Sequence, residues 1–458
     1  MENTATFTPA TFTPRTLHLF TTAFDGGQKT EIASVHVFSD DNGIENSVVN
    51  IHPEVEYQTF EGFGGAFTDS AGYVFSLMPK KERKRLLKAY FGENGAGYTA
   101  GRIHLDSCDF SVGHYEAIEP NDEKLATFSL GRAVKYIGPL LDAAQDEYGK
   151  QIPLMASLWS PPAFMKSNGA RNGGGKLLKK RYPLFAEYIC RYLEELKKIG
   201  FHIVRLTAQN EPKAVQTWDS CVYTAEEERD FLVNYLRPAL DKNGHGDVKL
   251  LFWDHNKERL YERAAKVADS QTSGVFEGVA FHWYSGDHFE AVDLVRDRFP
   301  HLKLVQSEAS VEFLKFDRND IGAAAKYAHE LIGNINAGMH AFYDWNVVLD
   351  QDGGPNHVKN FCDAPFLFNV DTSELEERPV YSYISHFSKH IKPGALRVAF
   401  SRYTTDLGVT ALKNPDGAVV SVILNRNADE KNVVLRIGGK TVEIHTPGMS
   451  VSTAVIDS

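Results

Sequence analysis

The chain has 458 residues, 43% hydrophobic and 12% aromatic, with a formal net charge of −11. That length exceeds one ordinary domain of about 100–200 residues, and the apolar content is enough to exclude disorder. The acidic balance argues against nucleic acid and against an anionic membrane surface as partners.

Residues 1–20, MENTATFTPATFTPRTLHLF, place their first basic residue at Arg15 and hold no apolar core, so they do not read as a secretory leader. No stretch approaches the roughly 18 apolar residues of a membrane span, so no membrane insertion is expected and the expected location is the cytoplasm. From Leu17 to Val55, period-two runs broken by DGG and DDNG read as strands joined by tight turns. From Phe60 the pattern changes. Eight short apolar runs end in polar or glycine residues: FEGFGGAFTD, TAGRIHLDSCDF, IPLMASLWSPP, IVRLTAQNEP, VKLLFWDHN, GVAFHWYSG, LKLVQSEAS and HAFYDWNVVL. Between them lie amphipathic helix candidates, among them KKERKRLLKAYF, YPLFAEYICRYLEELKKIG, AEEERDFLVNYLRPALDK and IGAAAKYAHELIGNINAG, and VYSYISHFSKHI would be the last helix. Strand–helix alternation repeated eight times predicts an α/β fold, a (β/α)8 barrel. After Pro393-Gly394 the period-two pattern returns, with turns NPDG, NADE and IGGK. The N-terminal strands have nothing to bury against unless they join this module. Residues 1–58 and 393–458 are therefore expected to build one antiparallel β-sandwich from both chain ends, attached to a catalytic barrel over 59–392.

Catalytic residues of such barrels sit at the C-terminal ends of the strands. Those ends carry Asp69, then His104, Asp106 and Asp109, then Trp159, then Asn210 and Glu211. Asp254 and His255, His282 and Tyr284, Glu308, and Asp344, Trp345 and Asn346 complete the ring. Aromatics stack on the apolar C–H faces of sugars while Asp, Asn and His bond the hydroxyl rim. Two glutamates on opposite strands, Glu211 and Glu308, are placed to flank a scissile glycosidic bond. At the end of a buried strand Glu211 is expected to have a raised pKa and to donate a proton, with Asn210 reaching the sugar 2-hydroxyl. His282 and Tyr284, two apart on one strand, point the same way and are expected to hydrogen-bond Glu308. The glycines of EGFGG (Gly62, Gly64, Gly65) read as a tight turn.

Other chemistries find no support. The four cysteines, at 108, 190, 221 and 362, form no CxxC pair and read as isolated buried thiols. GARNGGGKLL lacks the first glycine and the hydroxyl of a phosphate loop, no GxSxG elbow occurs, and KKERKR reads as a solvated helix face. No HExxH or HxH pair suggests a metal site, and a two-carboxylate mechanism needs neither metal nor cofactor.

The motifs EGFGGAFTDSA, SCDFS, LWSPPAFMKSNG, TAQNEP, HWY, SEAS and DWNVVLDQDGGPNHVKNF, in this order from about residue 61 to 362, resemble those of glycoside hydrolase family 30, and within it the glucosylceramidase branch. The resemblance implies the barrel with its flanking sandwich, Glu211 as acid/base, Glu308 as nucleophile and Asn210 on the 2-hydroxyl. It further implies sugar-binding roles for Asp109, Trp159, Trp345 and Asn360, and a bracing role for His282 and Tyr284 beside the nucleophile. The expected function is a retaining exo-β-glycosidase, a β-glucosidase acting on a small glycoside or oligosaccharide. A β-1,6-glucanase, a β-xylosidase or a β-fucosidase on the same scaffold are the alternatives, and a non-catalytic glycan-binding barrel is the reading from a different class. The sequence departs from the branch at His357, where the glucosylceramidases carry tryptophan toward the entrance, and in having no leader that reads as secretory. The loop KSNGARNGGGKLLKK is expected to wall the leaving-group side. Oligomeric state is not legible here.

Overall fold

The computed structural model describes residues 12–25, 27–313 and 320–458; residues 1–11, where the leader reading rests and the sandwich is expected to begin, lie outside this set. Eight parallel strands close into a barrel: Gly62–Ala66, Ala100–Leu105, Pro153–Leu158, His202–Thr207, Lys249–Asn256, Phe276–His282, Lys303–Glu308 and Ala341–Asp344. Closure is made by the last and first strands, with Ala341 opposite Gly62 and Asp344 opposite Gly65. The strands are buried on both faces, which is why they read as continuous apolar runs rather than as alternation. The eight runs coincide with the eight strands.

The glycines of EGFGG form the first barrel strand rather than a turn. The reason is space. A Cβ on Gly64 would lie 2.6 Å from the Ala100 carbonyl oxygen of the neighbouring strand, and one on Gly65 would lie 2.7 Å from the Val347 side chain.

Helices alternate with the strands. Lys80–Phe91 and Tyr182–Lys198 match their sequence patterns, whereas the AEEERDF segment forms Ala225–Phe231, a short π turn at Leu232–Leu236 and then Arg237–Lys242. The first of these starts on a capping box in which Thr224 and Glu227 satisfy each other's backbone N–H groups. A small sheet not foreseen from sequence, Leu349–Asp350, Phe366–Asn369 and Glu374–Glu377, follows the eighth strand.

The second compact unit joins the chain up to Glu61 with Ile321–Asn336 and Ser382–Ser458. Its ten-stranded sheet interleaves both chain ends: Thr16–Asp25 pairs with Ser450–Asp457, and Val48–Phe60 with Ala395–Arg402. One pair departs from the antiparallel expectation, because Val48–Phe60 runs parallel to Lys431–Ile437. Leu17, Val49, Ile423, Leu435 and Ile444 share its core. The helical stretch Ile321–Asn336 belongs to this unit, and the Asn336 amide donates to the Val409 carbonyl at 2.9 Å. Among the described residues, no helix is long and apolar enough to cross a membrane.

Gly64→Ala should destabilise the barrel by roughly 1–3 kcal/mol, because the opposing atom is backbone and has little freedom to retreat. Urea unfolding measures this; an unchanged midpoint would show that the strand shifts freely.

Candidate active site

The strand ends surround a cavity of about 300 Å3. Of the residues singled out in the sequence, Asp109, Trp159, Asn210, Glu211, Tyr284, Glu308, Trp345 and Asn360 line it. His282 lies beneath the floor, fully buried. Gln216, Trp218, His255, Asn256, Ser310 and Glu312 also line it.

The floor is organised by Arg102, from the second strand, whose side chain has no exposed surface. Its Nη1 donates to Glu308 Oε2 at 2.6 Å; its Nη2 donates to Asn210 Oδ1 at 2.9 Å and to Asp254 Oδ2 at 3.0 Å. The guanidinium also lies 5.0 Å from the Trp159 ring centre and 5.3 Å from that of Trp345. A desolvated guanidinium is costly unless its donors are matched by acceptors, and here anions and an amide meet them. Asp254 in turn accepts from Ser157, Thr207 and Ser307. Burial raises the Asp254 pKa, but Arg102 and His282 outweigh it and hold the carboxyl well below the usual range.

His282 couples the two glutamates. Its Nδ1 lies 3.2 Å from Glu211 Oε1 and 3.9 Å from Glu308 Oε1, and its Nε2 lies 3.0 Å from Asp254 Oδ1. Burial lowers its pKa, but Glu308, Asp254 and Glu211 push it up to about 9, so the ring is a cation at neutral pH. The expected hydrogen bond from His282 to Glu308 therefore goes to Glu211 instead. Tyr284 does reach Glu308, its hydroxyl donating to Oε1 at 2.9 Å.

A second expectation is corrected at Glu211. Burial does raise its pKa, but His255, with Nδ1 at 3.5 Å, and His282 reverse the effect and hold the carboxyl below the ordinary range. The convergence of two imidazoles on one carboxyl depends on side-chain directions that strand-end reading does not supply. Glu211 itself takes a left-handed conformation, φ 50°, as do Trp253, Asp254 and Asn346 around it. Such backbone is costly for residues other than glycine and persists where the surroundings over-determine it. The Asn210 N–H donates to the Leu158 carbonyl at 2.6 Å and the Glu211 N–H to the Asp254 carbonyl at 2.9 Å, so strands three and five clamp the segment.

Trp159 and Trp345 stack on one another at 5.3 Å and are each 2% exposed, so much of the face expected to stack on sugar is spent on the partner indole. Asp109 receives long contacts of 3.4 Å from the Asn360 and Asn356 amides. Burial, followed by the Glu308 charge, pushes its pKa up to about 8. Asp109 is thus protonated at neutral pH and can donate as well as accept. His104 and Asp106 are structural: His104 Nε2 accepts the Asp69 N–H, and Asp106 accepts from the Tyr188 and Tyr192 hydroxyls. The four cysteines are free and buried. One group outside the cavity lining, His114, Asp219 and His357, has ligand atoms close enough together to hold a metal ion.

Comparisons with known proteins identify the family of the chain. Residues 60–391 match the glycosyl hydrolase family 30 TIM-barrel domain and residues 394–454 the glycosyl hydrolase family 30 beta sandwich domain. Lysosomal acid glucosylceramidase of Mus musculus is 34% identical over 430 residues, covering 89% of this chain and 82% of that protein. The crystal structure of SrfJ from Salmonella typhimurium superposes with a TM-score of 0.92 at 35% identity, covering 96% of this chain and 99% of that one. The endo-β1,6-glucanase BT3312 gives 0.84 at 25% identity over the same shares.

Ionising Asp109 is a cost of folding. The folded chain keeps that proton up to about pH 8, whereas an unfolded aspartate releases it near 3.8, so this contribution to stability falls as pH rises between those values. Asp109→Asn should raise the melting temperature at pH 7.5 by about 2–4 °C and leave it nearly unchanged at pH 4, while weakening sugar binding. Melting curves at the two pH values check this; equal shifts at both would contradict it.

Proposed function

The chain belongs to glycosyl hydrolase family 30, and from that premise we propose that it is a retaining exo-β-glucosidase that releases a terminal β-D-glucosyl unit through a covalent glycosyl-enzyme. The observation that carries this reading is the nearness of both glutamates to one imidazole nitrogen, which hydrogen-bonds Glu211 and lies close to Glu308. With His282 Nδ1 at 3.2 Å from one and 3.9 Å from the other, their facing oxygens lie no more than about 7 Å apart. Retention needs carboxyl groups about 5–5.5 Å apart, and inversion needs about 6.5–9.5 Å to admit a water between them. The short reach of the two facing oxygens to one nitrogen supports the closer, retaining spacing.

In this reading Glu308 attacks the anomeric carbon. Arg102 on Oε2 and the Tyr284 hydroxyl on Oε1 fix its orientation and preorganise the charge that moves during attack. Glu211 protonates the departing oxygen and later deprotonates the water that releases the sugar. The proton it takes from that water is the one it delivers in the next turnover, and the His282 Nδ1–H hydrogen-bonds its Oε1 while it is an anion. Asn210, held by Arg102, presents its amide to the sugar 2-hydroxyl. Asp109 and Asn360 bond the far hydroxyls, and the edges of the Trp159–Trp345 stack border the ring. A cavity of about 300 Å3 sits at the low end of ligand sites, which span roughly 300–1,000 Å3, and suits one terminal sugar.

The resemblance to an endo-β1,6-glucanase supports a second reading, in which the same floor cleaves within a β-1,6-glucan. A panel of p-nitrophenyl glycosides with the product anomer followed by NMR separates the two. Release of β-glucose with retention supports the exo-glucosidase; activity confined to β-1,6-glucan moves the enzyme to the endo class. Glu308→Gln should lower kcat by more than about 10^4-fold. Glu211→Gln should largely spare aryl glycosides with good leaving groups and cripple those with poor ones. Substantial turnover by Glu308→Gln would remove it from the nucleophile's role.

A further inference from the structure

Three segments that carry cavity-lining residues meet a short way from the floor. His114 lies in the segment after the second strand, which also carries Asp109. Asp219 follows Trp218 after the fourth strand, and His357 precedes Asn360 after the eighth. The three side chains converge: one ligand atom from each lies within 4.8 Å of the others, and the two imidazole centres are 4.4 Å apart.

Two atoms of this group are buried with no hydrogen-bond partner, Asp219 Oδ2 and His357 Nε2. Asp219 as a whole is 1% exposed. His357 Nδ1 lies 3.0 Å from the Ser111 carbonyl, which makes Nδ1 the protonated nitrogen and leaves Nε2 with a free lone pair. Two buried acceptors without a donor, on residues whose ligand atoms converge, are a cost that a cation can remove. His114 faces the same carboxylate, with Nδ1 3.3 Å from Asp219 Oδ1.

We propose that His114, Asp219 and His357 bind a divalent transition-metal ion of the zinc class, tying together three loops that carry substrate-site residues. Two imidazoles and one carboxylate are a recurrent zinc donor set, with water in the fourth position. The outer contacts fit as well. A ligating histidine is usually oriented by a backbone carbonyl or carboxylate on its other nitrogen, and Ser111 does this for His357. Arg171 Nε donates to Asp219 Oδ1 at 2.7 Å and leaves Oδ2 free for the ion. The Arg171 charge does not stand alone against a cation, because Asp106 also pairs with it at 3.3 Å. The three positions are widely separated in sequence, so no local motif announces the site. The binding itself stands independently of which glycoside is cleaved.

The test uses the full, tag-free chain stripped with chelator and titrated with zinc chloride by calorimetry. One saturable site is expected in the wild type. His114→Ala and His357→Gln should each weaken it by at least about tenfold, the size of loss usual for removing one ligand or its support. Cobalt(II) loading should give ligand-field bands of nitrogen and oxygen coordination without thiolate charge transfer. Zinc should raise the melting temperature of the wild type and not of the variants; metal-free melts of both variants confirm that they fold. Absence of saturable zinc binding would overturn the site and leave water as the partner of the two acceptors. Undiminished affinity in both variants would place the ion elsewhere and overturn it equally.

Discussion

A guanidinium with no exposed surface sits under the reaction centre, and the site is built outward from what its charge requires. Arg102 cannot shed its proton to escape burial, so the chain must surround it with anions and acceptors. Glu308, Asp254 and Asn210 come from three different strands to do so. The same constraint aligns the chemistry: whatever holds the cation also holds the nucleophile candidate and the amide beside the acid/base candidate. His282 continues the pattern. It lies between Asp254 and the two glutamates, so positive and negative groups alternate across the floor. Breaking one member leaves a buried charge uncompensated, and for that reason the floor behaves as a unit rather than as separable contacts.

The backbone follows from this. Glu211, Trp253, Asp254 and Asn346 adopt left-handed conformations that their side chains disfavour. Glu211 and Asn346 lie just beyond a strand, and Trp253 and Asp254 lie among the last residues of the fifth strand; neighbouring strands fix the peptide, as the Leu158 and Asp254 carbonyls do for the Asn210-Glu211 pair. The barrel meets the local cost with cross-strand hydrogen bonds, and the return is a carboxyl aimed inward at a defined distance from one imidazole.

Much of this was legible in sequence because the barrel couples position to period. The eight apolar runs mark the eight strands, and the C-terminal end of each run names a mouth residue before any coordinate is known. Eight of the nine residues given catalytic or sugar-binding roles line the cavity, as does His255 of the strand-end ring, and His282 is buried beside them, whereas Asp69, His104, Asp106, Asp254, Asp344 and Asn346 of that ring do not line it. What escaped reading is what depends on side-chain direction. Arg102 stands mid-strand in TAGRIHL and carries no local signal of its partners. The Glu211 pKa was misjudged in direction because burial alone was weighed, while His255 and His282 approach from two other strands. EGFGG was read as a turn because glycine usually marks conformational freedom; here it marks close approach, with the Ala100 carbonyl where a side chain would be. The parallel pairing of Val48–Phe60 with Lys431–Ile437 joins segments almost four hundred residues apart, which no local pattern encodes.

The floor and the loops above it answer to different constraints. The floor is carried by strand ends, largely buried and cross-linked by charge, so its chemistry is determined before any substrate arrives. The loops carrying Asp109, Trp218 and Asn360 are held instead by longer contacts and by the group His114, Asp219 and His357. In the proposed reading a glycoside is therefore cleaved by the floor and selected by the loops. Where the loops stand close, only a terminal sugar enters; where they part, the same glutamates can meet a bond inside a chain. Discrimination between sugars differing in one hydroxyl amounts to only about 1–3 kcal/mol in a pocket not built to bond that group. Small changes in loop position are of that size. A bond tying these loops to one another, whether through hydrogen bonds or through an ion, thus acts on substrate choice without touching the two carboxylates proposed to perform the reaction.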